Sequence, residues 1–156
     1  MYDIRKVQSN KVDEALSLAL EVFMEFEAPD YKPEGIETFK SFIGDEKLIQ
    51  GFKRGIAPMY AAFDNGKIIG VIGMRENKTH INLAFVKKEF HRRGIATEIF
   101  RFLLQDLRWE NPSLSEITLN SSPYGLPFYL HLGFVPQSEE LEEDGLRFTP
   151  MKFLVK

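Results

Sequence analysis

Phe90-His91-Arg92-Arg93-Gly94-Ile95-Ala96 is the stretch on which the reading of this chain turns. It follows an apolar run, His80 to Val86, and precedes Ile95, Ile99, Phe102, Leu103 and Leu107 at helical spacing. That pattern predicts a strand, a basic turn and a helix in that order. A helix N-terminus leaves about four amide hydrogens without intrahelical partners and carries roughly half a positive charge, so it attracts anions. Gly94 and Ala96 leave room for a phosphate to reach those amides, and Lys87, Lys88, Arg92 and Arg93 gather charge around the same turn. Taken alone, a Gly-x-Ala turn is also what an ordinary helix entry with solvated basic residues looks like.

Other phosphate binders are excluded by what the turn lacks. No Gly-Lys-Ser/Thr ending of a Walker loop occurs, and the three glycines of a dinucleotide fingerprint are missing, since Gly70 and Gly73 fall within a strand. With 156 residues, 44% of them hydrophobic, the chain is expected to form one domain over residues 1–156. A net charge of -3 and a pI near 5.7 argue against nucleic acid as partner, because the basic turn is local and suits a small polyanion better. There is no cysteine, which removes thiol nucleophiles, disulfides and thiolate metal sites together. His80, His91 and His131 have no metal-ligand spacing, so no metal is expected. No apolar run approaches the roughly 20 residues that span a bilayer, and Met1 to Arg5 lacks a signal-peptide core. The expectation is a soluble, cytoplasmic protein with no membrane partner; a homodimer stays open.

Outward from the turn, Ile4 to Val7 reads as a strand, followed by a helix whose buried stripe is Val12, Ala15, Leu16, Ala19, Leu20, Phe23 and Phe26. Pro29 ends it, and Pro33 opens a second helix that Gly44 closes. Leu48, Ile49 and Phe52 suggest a further helical or irregular piece. Met59 to Phe63 and Lys67 to Arg75 flank an Asn65-Gly66 hairpin turn, and Thr79 to Val86 adds a third antiparallel strand. After the helix from about Gly94 to Arg108 come a strand at Glu116 to Asn120, a brief helix from Pro127 to Leu132, and two strands joined by an acidic loop. The predicted fold class is α/β (α+β), a mixed, mainly antiparallel central sheet with helices on both faces.

In that order of elements the chain resembles the GNAT superfamily of acyl-CoA-dependent N-acetyltransferases. The resemblance spans essentially the whole chain and is strongest from Thr79 to Pro136. The family's Gln/Arg-x-x-Gly-x-Gly/Ala turn corresponds to His91 through Ala96, with His91 departing at the first position and Lys88 standing where a proline is common. A second signature, an aromatic-Tyr pair followed by Gly-Phe, corresponds to Phe128, Tyr129, Gly133 and Phe134.

The resemblance implies that acetyl-CoA is the co-substrate. Its pyrophosphate would lie on the backbone of His91, Arg92, Arg93, Gly94, Ile95, Ala96 and Thr97, and its pantetheine arm along a bulged strand at Ala84, Phe85 and Val86. Asn120 or Ser122 would contact the pantetheine, although Ser121 and Ser122 serve equally as a turn or helix cap before Pro123. Tyr129 matches the family's tyrosine near the thioester sulfur; the other reading is a core aromatic beside Phe128 and Phe134. His80 lies six residues before Val86, where several members place a base, and strict alternation puts His80, Asn82, Ala84 and Val86 on one face. Otherwise His80 is a surface residue near a turn. Glu25, Phe26, Tyr31 and Asn82 are the candidate acceptor contacts. Acidic residues at Glu21, Glu25, Glu27, Asp30, Glu34 and Glu37, and again from Glu139 to Asp144, suggest a cationic amine acceptor, or simply solvated surfaces. The expected activity is acetyl transfer to a primary amine in a ternary complex; the alternative is a non-catalytic acyl-CoA sensor on the same fold.

Overall fold

The computed structural model describes residues 2–156. Strand β1 (Asp3–Lys6) leads into helix α1 (Val12–Val22), whose Val12, Ala15, Leu16, Ala19 and Val22 are buried, as the periodicity requires. The helix then widens into a π turn, Phe23–Glu27, and tightens into a 3-10 turn, Ala28–Asp30. Helices α2 (Pro33–Ile43) and α3 (Glu46–Lys53) follow, so the uncertain piece around Leu48 is helical. Strands β2 (Met59–Asp64) and β3 (Lys67–Met74) form the expected hairpin, with Asn65 and Gly66 both at positive φ as a tight two-residue turn demands. The remaining elements are β4 (His80–Val86), α4 (Ile95–Glu110), β5 (Glu116–Ser121), α5 (Leu126–Leu132), β6 (Val135–Pro136), β7 (Leu141–Glu143) and β8 (Leu146–Leu154).

The sheet runs β1-β2-β3-β4-β5-β8-β6, with β7 also paired to β8. Every pairing is antiparallel except β4 with β5. One core, built from Phe23, Phe39, Phe52, Leu83 and Phe85 among others, lies between the sheet and α1 to α3; the other, with Ile95, Ile99, Leu103 and Phe134, lies under α4 and α5.

Two sequence expectations need correction. The acidic segment before β8 is a β-hairpin, not a loop: β7 pairs β8 from Leu141↔Phe148 to Glu143↔Leu146, and Asp144 and Gly145 make its turn at positive φ. Strict alternation also fails in β4. Its register against β3 slips between Leu83↔Gly73 and Ile81↔Met74, leaving Asn82 as an extra residue. Ile81 therefore packs in the α4 core, while Leu83 and Phe85 pack in the opposite one. Asn82 lies on the side of Phe52, away from the core that takes Ala84 and Val86, so His80, Asn82, Ala84 and Val86 do not share a face.

Candidate active site

The site begins where two strands part. β4 and β5 pair only through His80↔Thr118 and Ile81↔Leu119, whereas β5 continues paired to β8 as far as Ser121↔Thr149. From Asn82 to Val86 the β4 edge facing β5 thus has no strand partner. Unpaired strand backbone has donors and acceptors to offer a ligand. The cleft ends at the basic turn, where Arg92 and Gly94 hold φ of 64° and 74° and α4 starts at Ile95 without a side-chain cap. Left-handed residues beside a free helix N-terminus turn successive amides toward one point, which is an anion-binding concavity. A Cβ at Gly94 would meet nothing within 4 Å, so the space in front of the turn is open and only the conformation calls for glycine.

Side chains of the turn are spent on the protein itself. His91 Nε2 lies 2.7 Å from the Val86 carbonyl, which can only accept, so this nitrogen carries the hydrogen. Arg93 donates to the Tyr2 hydroxyl at 3.1 Å and sits over the Phe90 ring, and Lys88 pairs with Glu25 at 3.2 Å. The amides and Arg92 are what remain for a phosphate.

A cavity of about 350 Å³ opens from the cleft toward α1 and α2. Tyr129, His80, Asn82, Ala84, Phe85, Asn120, Ser122 and Tyr31 all line it. Glu25 and Phe26 are not among its lining residues. Glu25 is exposed in its ion pair with Lys88, while Phe26 packs on His91 at 4.9 Å and Tyr124 at 5.2 Å, joining the two sides of the cleft from outside the cavity. The acidic residues divide: Glu27, Glu143 and Asp144 line the cavity, whereas Glu37 pairs with Lys40 and Glu140 with Arg147.

Glu27 is the functional candidate that the sequence reading passed over as one acid among many. It lines the cavity beside Ser122 and is pushed up to about 7 by burial, with a further push from Asp30 and an opposing pull from the Ser122 hydroxyl. Its signal was present: the buried stripe that runs Ala15, Ala19, Phe23 continues by fours to residue 27, so a carboxylate falls where the pattern expects a hydrophobe. The π turn delivers it to that place, and such turns cluster at functional sites.

His80 sits at the vertex of the cleft. Its Nδ1 is 2.8 Å from the Thr118 hydroxyl, which itself donates to the Thr79 carbonyl at 3.5 Å. The imidazole therefore donates through Nδ1 and keeps its lone pair on Nε2. Burial and the Arg75 charge pull its pKa down to about 4. Tyr129 is held between Phe128 and Phe134 at 5.3 and 5.7 Å, and burial followed by the charge of Glu27 pushes its phenol well above the ordinary range. Ser122 accepts from the Gly125 amide at 3.1 Å, so it serves as a turn cap as well as lining the cavity.

The fold is shared with solved acetyltransferases over almost their full length. A GCN5-related N-acetyltransferase from Rhodopseudomonas palustris superposes with a TM-score of 0.81 at 18% identity, covering 98% of this chain and 95% of that one. The PaiA N-acetyltransferase of Thermoplasma acidophilum, solved in complex with coenzyme A, gives 0.78 at 19% identity with 99% of both chains covered. A GNAT-family acetyltransferase from Staphylococcus aureus Mu50 gives 0.74 at 15% identity with both chains covered in full. No curated protein sequence matches the chain significantly. The acetyltransferase (GNAT) domain family matches residues 27–155, which include the cleft, the Gly94 turn and Tyr129, and the chain belongs to that family.

Proposed function

We propose that the chain is an N-acetyltransferase that moves the acetyl group of acetyl-CoA to a primary amine by direct attack within a ternary complex. The observation that carries this reading is the parting of β4 from β5 in front of the Gly94 turn, with Tyr129 and Glu27 on the walls of the cavity behind it. The residues fit the co-substrate: amides from Arg92 to Thr97 would hold the pyrophosphate, and the open edge from Ala84 to Val86 would pair with the pantetheine and polarise the thioester carbonyl.

An alkyl ammonium with a pKa of about 10.4 has no lone pair until a base removes a proton. Glu27, near 7, is matched to that task at neutral pH, directly or through a water. The expectation that His80 is the base meets a physical objection, because a group near 4 releases at neutral pH any proton it accepts. His80 is better suited to accept a hydrogen bond from the amine through Nε2. As nitrogen bonds to the carbonyl carbon and the carbon–sulfur bond breaks, the second proton lost from nitrogen passes to the departing sulfur, which Tyr129 steadies by donating a hydrogen bond. Its raised pKa keeps the phenol protonated throughout.

The test is thiol release from acetyl-CoA across a panel of amines, with the acetylated product identified by mass. Wild type is expected to turn over at least one amine. Tyr129→Phe is expected to lose about 10²-fold or more in kcat while CoA affinity stays within about threefold. Binding of CoA with no transfer to any amine would favour the sensor reading instead.

A further inference from the structure

The walls of the cavity narrow the acceptor beyond "an amine". On the α1–α2 side Phe23 and Phe39 lie face to face with centroids 3.9 Å apart, Tyr31 stacks on Phe23 at 5.8 Å, and Phe85 meets Phe39 edge-on at 5.7 Å. All four line the cavity, and Phe148 of the hairpin joins them. That hairpin closes the far end. Thr38 Oγ1 donates to the Asp144 carbonyl at 2.6 Å, the Tyr31 hydroxyl donates to the Arg147 carbonyl at 3.2 Å, and Gly35 and Gly145 meet backbone to backbone where neither admits a Cβ.

Charge is placed at the ends of the cavity. Glu143 and Asp144 line it from the exposed hairpin tip, Arg147 is occupied by Glu140 and the Asp30 carbonyl, and Arg75 at the rim is a cation with no ion pair among the described residues. Glu27 is the carboxylate set against the rings. Asn82, which lines the cavity, has in Oδ1 the buried side-chain polar atom left without a hydrogen-bond partner among the described residues, an acceptor that an N–H in the cavity would satisfy.

Resting on the acetyltransferase reading, we infer that the acceptor is a compact primary amine with a flat apolar body, an arylalkylamine in chemical class, whose ring packs on the wall of Phe39, Tyr31 and Phe148, with buried Phe23 behind it, and whose ammonium meets Glu27 and Asn82. A chain-like polyamine would reach the Glu143 and Asp144 carboxylates at the hairpin tip but would leave the rings without a flat partner, and a lysine side chain on a peptide would need the end that the hairpin closes.

Calorimetric titration of 2-phenylethylamine, n-butylamine and spermidine into the CoA-loaded protein tests this, with acetyl transfer to each measured in parallel. 2-Phenylethylamine is expected to bind at least about tenfold more tightly than either of the others, the scale of one good aromatic contact. Phe39→Leu is expected to erase most of that preference while CoA-induced thermal stabilisation stays unchanged, which shows that the variant is folded. Equal binding of 2-phenylethylamine and n-butylamine, or tighter binding of spermidine, would overturn the inference. If 2-phenylethylamine binds with that preference but no thiol is released from acetyl-CoA, the inference holds and the transferase reading falls; if another amine is acetylated without the ring preference, the inference falls and the transferase reading stands.

Discussion

Glu27 carries most of the pH dependence expected of the site. Only the ionised carboxylate can take a proton, so kcat/KM should rise as pH rises through about 7, and Glu27→Gln should remove that inflection along with most of the activity. Stability runs the other way. The folded group titrates near 7 against an ordinary 4.5, so its favourable contribution is full below about 4.5 and is lost as pH rises through 7. Glu27→Gln should therefore melt higher than wild type near pH 8, with the gap closing in acid; a gap that grows in acid would contradict the assigned environment. His80 has the opposite sign, contributing fully above about 6.5 and losing that contribution as pH falls through 4. At this scale sequence reading was least reliable. Tyr129, His80, Asn82 and Tyr31 share one cavity, but Glu27 is submerged among six acidic residues between positions 21 and 37, and only its place on the row from Ala15 through Ala19 and Phe23 sets it apart from Glu25.

At the scale of elements, the turn that opens α4 depends on backbone conformation more than on charge. Its histidine and one arginine face the protein, and left-handed Gly94 aims the amides. Gly94→Ala adds a methyl that touches nothing, so its cost is conformational, about 1–2 kcal/mol for a left-handed alanine. CoA affinity measured by titration should fall about tenfold or more as the turn relaxes, whereas Arg93→Ala should change it far less. This turn was legible from residues 90–96 because strand, glycine and helical periodicity are all local signals. The β7–β8 hairpin was not. Its Asp144-Gly145 turn signal was present, but five acidic residues from Glu139 to Asp144 read as solvated loop, and the roofing of the cavity depends on the Gly35–Gly145 approach across more than a hundred residues.

For the molecule as a whole, element order and the antiparallel run from β2 to β4 followed from periodicity and turn chemistry, and so did helices on both faces. The bulge at Asn82 did not, because it is set by pairing with β3 rather than by the composition of β4. That bulge and the two-residue pairing with β5 leave a sheet open in its middle. A strand edge unpaired within a sheet should exchange its amide hydrogens faster than the paired strands around it. Amide hydrogen exchange with and without CoA therefore tests the central claim most directly. The expected result is CoA-dependent protection concentrated at residues 82–86 and 92–97, with β1, β2 and the outer face of α4 unchanged. Protection absent from both segments while CoA is bound would contradict the placement of the co-substrate in the cleft between β4 and β5.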